Sequence, residues 1–314
     1  MKKILKWIGR LLLFLMSVIV IFSVIYYRKD IPFNELREKY ANQDSRFLNL
    51  MGMQVHYRDE GDSLDSVPLV LVHGTSSSLQ TWDSLVIRLK PQKRIIRFDL
   101  PAFGLTGPNP EKDYSFGYYV RFLDSLLERL NVHQCILAGS SLGGGISWEF
   151  SLVHPQVVKK LILLDATGFP LKNGKGALGF KMVGIPVLGS LVKYVSPEFI
   201  TRKTLEEVYA DDNKVTDALV QRYYDLTLRE GNREALLQRI KSGYDQDSSK
   251  IHLLTVPTLI IWGDKDQLVP LEDAYLFHQA IRGSQLNVLQ NVGHVPMEES
   301  PDAVAVIIAG FIKS

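Results

Sequence analysis

Three short stretches carry side chains that together can perform acyl transfer. Gly139-Ser140-Ser141-Leu142-Gly143 places Ser141 between glycines two before and two after it. It stands between the apolar run QCILAGS (134–140) and a helix-forming stretch (142–153). A serine on a sharp strand-to-helix turn is strained and exposes its hydroxyl, as a nucleophile must. The backbone N–H of Leu142, free at the helix start, can stabilise an oxyanion. Trp262-Gly263-Asp264-Lys265-Asp266 follows a second apolar run, and Gly293-His294-Val295-Pro296 follows QLNVLQ (285–290). An acid just past the C-terminal end of a strand can reach into a crevice there. A histidine within reach of both would take the serine proton while the acid holds its ring. Taken singly, each has a plainer reading. A glycine-rich turn can open a helix without chemistry, and His294 and Asp266 can be ordinary loop and turn residues. All three following predicted core strands argues against coincidence.

The elements that must position these residues alternate along the chain. MQVHYRDEG (53–61), VPLVLVHG (67–74), RIIRFDL (94–100), QCILAGS and KLILLDA (160–166) read as strands. The near-continuous apolar runs among them suit strands buried on both faces of a parallel sheet. Helices are predicted around 80–90, over 115–130 and over 142–153, with Tyr119, Phe122, Leu123, Leu126 and Leu127 periodic in the second. Such alternation gives a parallel sheet with crossover helices. It stops over 168–195, which is rich in glycine and apolar residues. Residues 196–243 read as purely helical, opened by Ser196 as an N-cap before Pro197 and Glu198. Strand signals return at TLIIWGD (258–264) and QLNVLQ, and a helix over 299–313 closes the chain.

The order Ser141, Asp266, His294 and this alternation resemble the α/β-hydrolase superfamily over residues 47–314. The resemblance implies an α/β-hydrolase fold: a mostly parallel sheet flanked by helices, with a helical cap inserted over the active site. It implies Ser141, Asp266 and His294 as the triad. His73-Gly74-Thr75-Ser76 matches the oxyanion loop of the family, which implies the N–H of Thr75 as a second oxyanion donor beside that of Leu142. Asp99-Leu100-Pro101-Ala102-Phe103-Gly104 resembles a structural loop of the family, with Ala102 replacing the usual glycine. The family places its acid three residues after the glycine, which selects Asp266 over Asp264. Asp165 is the fallback, because some members take their acid from the end of the preceding strand.

The apolar fraction is swollen by the N-terminus. Between Arg10 and Arg28 lie seventeen residues without a charge, and their only polar groups are two serines and the hydroxyls of Tyr26 and Tyr27. As a helix at ~1.5 Å per residue they cover about 25 Å, the short end of a membrane span. Trp7 and Tyr26–Tyr27 suit the two interfaces. A core helix would carry a polar stripe, and a cleaved signal would end in small residues rather than Tyr-Tyr-Arg-Lys. An uncleaved single-pass anchor is the expectation. Lys and Arg counts on its two sides do not separate; the α-amino group tips the bias to N-inside, an extracytoplasmic catalytic part in a bacterium. The same basic flank accounts for the positive net charge of +2: residues 1–30 hold six Lys and Arg against Asp30, and the remainder is slightly acidic. That excludes a general nucleic-acid binder. The single cysteine, Cys135, excludes a disulfide framework and a cysteine-rich zinc site, and reads as a small core residue.

The expected organisation is an anchor (1–29), a stem (30–46), a hydrolase core (47–167 and 251–314) and a helical cap (168–250). The expected function is a serine hydrolase that cleaves carboxylic esters of apolar acyl chains, lipid esters among them, through an acyl-enzyme. It needs neither a metal nor an organic cofactor, and it resembles monoacylglycerol-lipase-like enzymes. Ser141 excludes the haloalkane dehalogenases and epoxide hydrolases, which use Asp at this turn. Hydrolases that cleave carbon–carbon bonds usually carry Trp after the histidine, where this chain has Val295. Two alternatives remain: a carbon–carbon or amide hydrolase with the same triad, and a catalytically inactive membrane-tethered scaffold. Residues 167–197 hold Lys172, Lys175, Lys181 and Lys193 with no acid among apolar side chains. They are read either as a face toward the membrane or as solvated lysines around an acyl pocket.

Overall fold

The computed structural model describes residues 2–170, 193–243 and 245–314. Eight strands form one sheet: β1 (Ser45–Leu50), β2 (Met53–Glu60), β3 (Leu69–Val72), β4 (Ile95–Phe98), β5 (Cys135–Ser140), β6 (Val158–Leu164), β7 (Thr258–Gly263) and β8 (Gln285–Leu289). Their order is β1-β2-β4-β3-β5-β6-β7-β8. β2 runs antiparallel to both β1 and β4, and every pairing from β4 onward is parallel. All residues of β3, β4, β5 and β7 are buried, because helices cover both faces of a parallel sheet. β1 is the strand the sequence pattern missed. Its burial is partial along its whole length, so no clean alternation marks it.

Helices α3 (Asp83–Leu89), α4 (Phe116–Arg129), α5 (Leu142–Val153), α9 (Leu271–Ala280), α10 (Pro296–Glu299) and α11 (Pro301–Lys313) belong to this core. The Ser115 hydroxyl caps α4 by accepting from the Tyr118 N–H at 3.2 Å. The apolar face of α4 that the sequence predicts is buried at all five positions. Between β6 and β7 the described residues form α6 (Glu198–Val208), α7 (Asp217–Leu228) and α8 (Asn232–Ser242), separated by short turns rather than running on as one helical stretch. Ser196 does not cap α6. Pro197 holds the cap position, and the Ser196 hydroxyl accepts from Arg233 at 3.0 Å instead. Lys172, Lys175 and Lys181 lie outside the described residues, while Lys193 pairs with Glu234 at 3.0 Å.

The N-terminus is α1 (Lys2–Ile25), whose stretch Lys3–Ile25 has a mean hydropathy of 2.6, none of it buried. By length and composition it can cross a membrane. The segment after it, expected as a stem, is folded against the β6–β7 insertion. Tyr27 pairs with Val195 and Ile31 with Arg229 in isolated backbone bridges. The Arg233 guanidinium donates to Asp30 at 2.6 Å and to the Arg28 carbonyl at 2.8 Å. Within 33–40 a short helix, α2 (Phe33–Tyr40), buries Leu36 beside Leu105 and Leu226.

Candidate active site

Ser141 sits between β5 and α5 at φ 55° and ψ −119°, a conformation that L-residues rarely adopt. The surrounding bonds hold it there. Its N–H donates to the Leu164 carbonyl of β6 at 3.0 Å, and its own carbonyl accepts from Gly145 and Thr167. The flanking glycines are sterically required. A Cβ at Gly139 would lie 2.2 Å from the Gly143 oxygen, and one at Gly143 would lie 2.1 Å from the Val72 oxygen. The turn can therefore close only where backbone meets backbone. The Ser141 side chain is half-buried.

Asp266 lies in the loop after β7, its side chain fully buried beside His294. Its Oδ1 accepts from the N–H groups of Leu268 and Val269 at 2.8 and 3.0 Å, and its Oδ2 accepts from His294 Nδ1 at 2.7 Å. With Nδ1 as the donor, Nε2 of the neutral ring is left as the acceptor a general base needs. The structure thus brings Asp266 and His294 into contact. Ser141 forms no hydrogen bond to His294 among the described residues; such bonds often close only when substrate binds. Asp264 is occupied elsewhere, accepting from the Asn291 N–H at 2.6 Å and pairing with Lys265. Asp165, just past β6, is fully buried at φ 44° and accepts from the Gly263 N–H at 2.9 Å. Burial and the neighbouring Asp266 charge hold its carboxyl well above the usual carboxylate range.

The proposed oxyanion donors, the N–H groups of Thr75 and Leu142, donate to no other backbone or side-chain acceptor among the described residues. His73 explains how the first is aimed. Its imidazole is fully buried, and Nε2 accepts from the Leu100 N–H at 2.9 Å. Nδ1 therefore carries the proton and donates to the Gly74 carbonyl at 2.7 Å. In a trans peptide the N–H points opposite the carbonyl, so a bond that fixes Gly74 C=O also fixes the direction of Thr75 N–H. Burial lowers the His73 pKa and keeps the ring neutral. Asp99 anchors the adjoining loop. Its carboxylate accepts from His56 and from the Leu79 and Leu105 N–H groups. Burial opposes its charge, but His56 and these bonds outweigh burial and hold its pKa below the usual value. Ala102, standing where a glycine is usual, takes φ 86°.

Two further residues escaped the sequence reading. Glu299 Oε2 accepts from the Gly293 N–H at 2.6 Å, and its Oε1 accepts from the N–H groups of Ala210 and Asp211 after α6. Glu298 accepts from Thr81, from the Tyr209 and Tyr223 hydroxyls and from Arg222. The His294 N–H itself donates to the Val208 carbonyl at 2.8 Å. The insertion helices are thus tied directly to the loop that bears the histidine. A small cleft opens between the loop at Ser76–Ser77, Phe103, and Leu226, Asn232 and Leu236 of the insertion.

The sequence profile of the alpha/beta hydrolase family matches residues 69–307. The chain belongs to the alpha/beta hydrolase family. An uncharacterised hydrolase of Bacillus subtilis (strain 168), YugF, is 29% identical over 260 residues, covering 82% of this chain and 93% of the relative. The 2-hydroxymuconate semialdehyde hydrolase of Pseudomonas sp. (strain CF600) is 26% identical over 275 residues, covering 83% of this chain and 91% of the relative. Solved structures share the fold of this chain, two of them of differing activity. The meta-cleavage product hydrolase of Pseudomonas fluorescens IP01 superposes with a TM-score of 0.75 at 23% identity, covering 87% of this chain and 99% of its own. A membrane phospholipase A superposes with a TM-score of 0.75 at 21% identity, covering 100% of this chain and 98% of its own.

Proposed function

We propose that this alpha/beta hydrolase is a membrane-anchored serine hydrolase that cleaves carboxylic esters of apolar acyl chains, with Ser141, Asp266 and His294 as its triad. The observation that carries the reading is the strained turn at Ser141, opening helix α5, on a sheet that also brings His294 Nδ1 to 2.7 Å from a buried Asp266. In the proposed mechanism the Ser141 oxygen attacks the acyl carbon while its proton passes to His294 Nε2. Asp266 stabilises the resulting imidazolium without taking the proton. The N–H groups of Thr75 and Leu142 receive the developing oxyanion, each contributing roughly 3 kcal/mol. His294 protonates the departing alkoxide, and a water activated by the same ring then hydrolyses the acyl-enzyme. The chemistry calls for no metal and no organic cofactor. Helix α1 and the superposition on a membrane phospholipase A support the anchor and an apolar acyl substrate. We place the catalytic part on the side of the membrane opposite the N-terminus.

A second reading is hydrolysis of a carbon–carbon bond in an aromatic-ring cleavage product, favoured by the names of the Pseudomonas relatives. Val295, where such enzymes usually carry Trp, weighs against it. Fluorophosphonate labelling of the full-length protein tests the nucleophile. Label lost in Ser141→Ala supports the serine mechanism, and equal label in both leaves the inactive-scaffold reading standing. A series of p-nitrophenyl esters run beside a 2-hydroxy-6-oxo-dienoate then separates the two chemistries. Faster turnover of the dienoate would overturn the ester reading. Protease protection of sealed vesicles checks the topology.

A further inference from the structure

The loop beyond β6 holds a second carboxyl at the candidate active site. One oxygen of Asp165, one of Asp266 and a ring nitrogen of His294 all lie within 4.8 Å of one another. Both carboxyl side chains are fully buried. Their surroundings are unequal. Asp266 receives three donors: two backbone N–H groups and the imidazole. Asp165 receives one, the Gly263 N–H on Oδ1, and no other donor among the described residues reaches its buried Oδ2. Two buried carboxyls this close oppose each other's ionisation, which raises the pKa of one of them. The proton stays on the one with fewer donors, and the Asp266 carboxylate, within 4.8 Å, is an acceptor for that O–H. The third acid facing Asp165 is Glu299 of α10, which adds to the repulsion. The N–H groups already directed at these carboxyl oxygens disfavour a cation at the same point.

Resting on the serine-hydrolase reading, we propose that Asp165 is a positioning residue of the triad: a neutral carboxyl whose O–H donates to the Asp266 carboxylate, and a built-in replacement for it. In the intact protein the bond gives Asp266 a fourth donor and steadies the oxygens that orient His294. If Asp266 becomes Asn, the negative charge that kept Asp165 protonated is gone. Asp165 then releases its proton to solvent, and its carboxylate becomes the acceptor for His294 Nδ1–H. From a separation of at most 4.8 Å, a shift of about 2 Å reaches hydrogen-bond range. Asp165 takes the strained φ of 44°, and its side chain reaches the Gly263 N–H of β7.

The test is the rate of fluorophosphonate labelling of Ser141 in full-length protein in detergent micelles, for wild type, Asp266→Asn and Asp165→Asn/Asp266→Asn. Loss of the acid in a triad without a replacement costs about 10⁴-fold. We expect about 10²-fold slowing in Asp266→Asn and about 10⁴-fold in the double variant. The single variant should also gain an ionisation in its pH–rate profile, and the double variant should lack it. Asp165→Ser, smaller and still polar, serves in place of Asp165→Asn should the first double variant not fold. Equal rates for Asp266→Asn and the double variant, with the wild type labelled, overturn this proposal and leave the triad standing. No Ser141-dependent labelling of the wild type overturns both.

Discussion

Two substitutions of His73 separate its two hydrogen bonds and so test whether the ring aims the proposed oxyanion donor, the Thr75 N–H. An asparagine amide nitrogen stands about where His Nδ1 does, and a glutamine side-chain oxygen about where Nε2 does. His73→Asn keeps a donor for the Gly74 carbonyl and orphans the Leu100 N–H. His73→Gln keeps an acceptor for the Leu100 N–H and releases the Gly74 carbonyl, now held at 2.7 Å. Each leaves one buried backbone group unsatisfied, a cost of about 1–3 kcal/mol. Both variants should therefore melt lower by a comparable amount, roughly 2–4 °C for each kcal/mol. Their kinetics should differ. In His73→Gln the Gly74–Thr75 peptide can turn, and loss of one oxyanion donor is worth about 10²–10³-fold in kcat. His73→Asn should stay within about tenfold. The assay is kcat and KM on a p-nitrophenyl ester with full-length protein, beside thermal unfolding of the same samples. A charged or catalytic role for the ring is already disfavoured, since burial keeps it neutral. Equal loss of kcat in both variants, or full kcat in His73→Gln, would refute the peptide-orientation argument.

Three further outcomes are expected. Gly143→Ala brings a Cβ to 2.1 Å from the Val72 oxygen, and with backbone on both sides unable to yield it should cost more than about 4 kcal/mol; soluble protein with an unchanged melting temperature would contradict this. Burial pushes the Glu149 carboxyl up to about 7, so the folded chain keeps a proton that the unfolded chain releases, and stability falls as pH rises through that window. Glu149→Gln should therefore gain about 1 kcal/mol at pH 8, after allowance for its partial exposure, and nothing near pH 4.5; urea unfolding giving equal gains at both would count against the shift. Arg233→Met removes the bonds to Asp30 and the Arg28 carbonyl, so trypsin should cut after Arg28 or Lys29 at least several-fold faster, with unchanged cleavage sinking the idea that this pair pins the segment.

The parts of the molecule that were legible in the sequence are those governed by local chemistry. Runs such as VPLVLVHG announce buried parallel strands because both faces need apolar side chains. The glycines around Ser141 announce the turn because a Cβ at Gly139 would meet the Gly143 oxygen and one at Gly143 the Val72 oxygen. The spacing singled out Asp266 as the proposed acid, and in the structure the Asp264 carboxylate is committed to Asn291 and Lys265. Less legible were the places where neighbouring chain decides. Ser196 carries the residue type of a helix cap, yet Arg233, thirty-seven positions on, takes its hydroxyl. A half-buried edge strand such as β1 shows no period because neither face is wholly dry.

Glu298 and Glu299 show why such partners are hidden. Both follow His294 closely in sequence and would pass for acids in the first turn of an exposed helix. Instead Glu299 joins the Gly293 N–H to two N–H groups of the insertion, and Glu298 gathers Thr81, Tyr209, Tyr223 and Arg222 from three other elements. Tyr223 also lies at 3.4 Å from the Ser77 hydroxyl, in the loop that carries Thr75. The histidine loop, the loop with the proposed oxyanion donor and the insertion helices thus share one polar cluster. On the far side the same helices hold Asp30 and the residues that follow α1. Hydrogen bonds thus tie the insertion both to the segment that follows α1 and to the loop that bears His294. Short-range periodicity cannot reveal contacts of this kind, since most of them join residues tens to hundreds of positions apart along the chain.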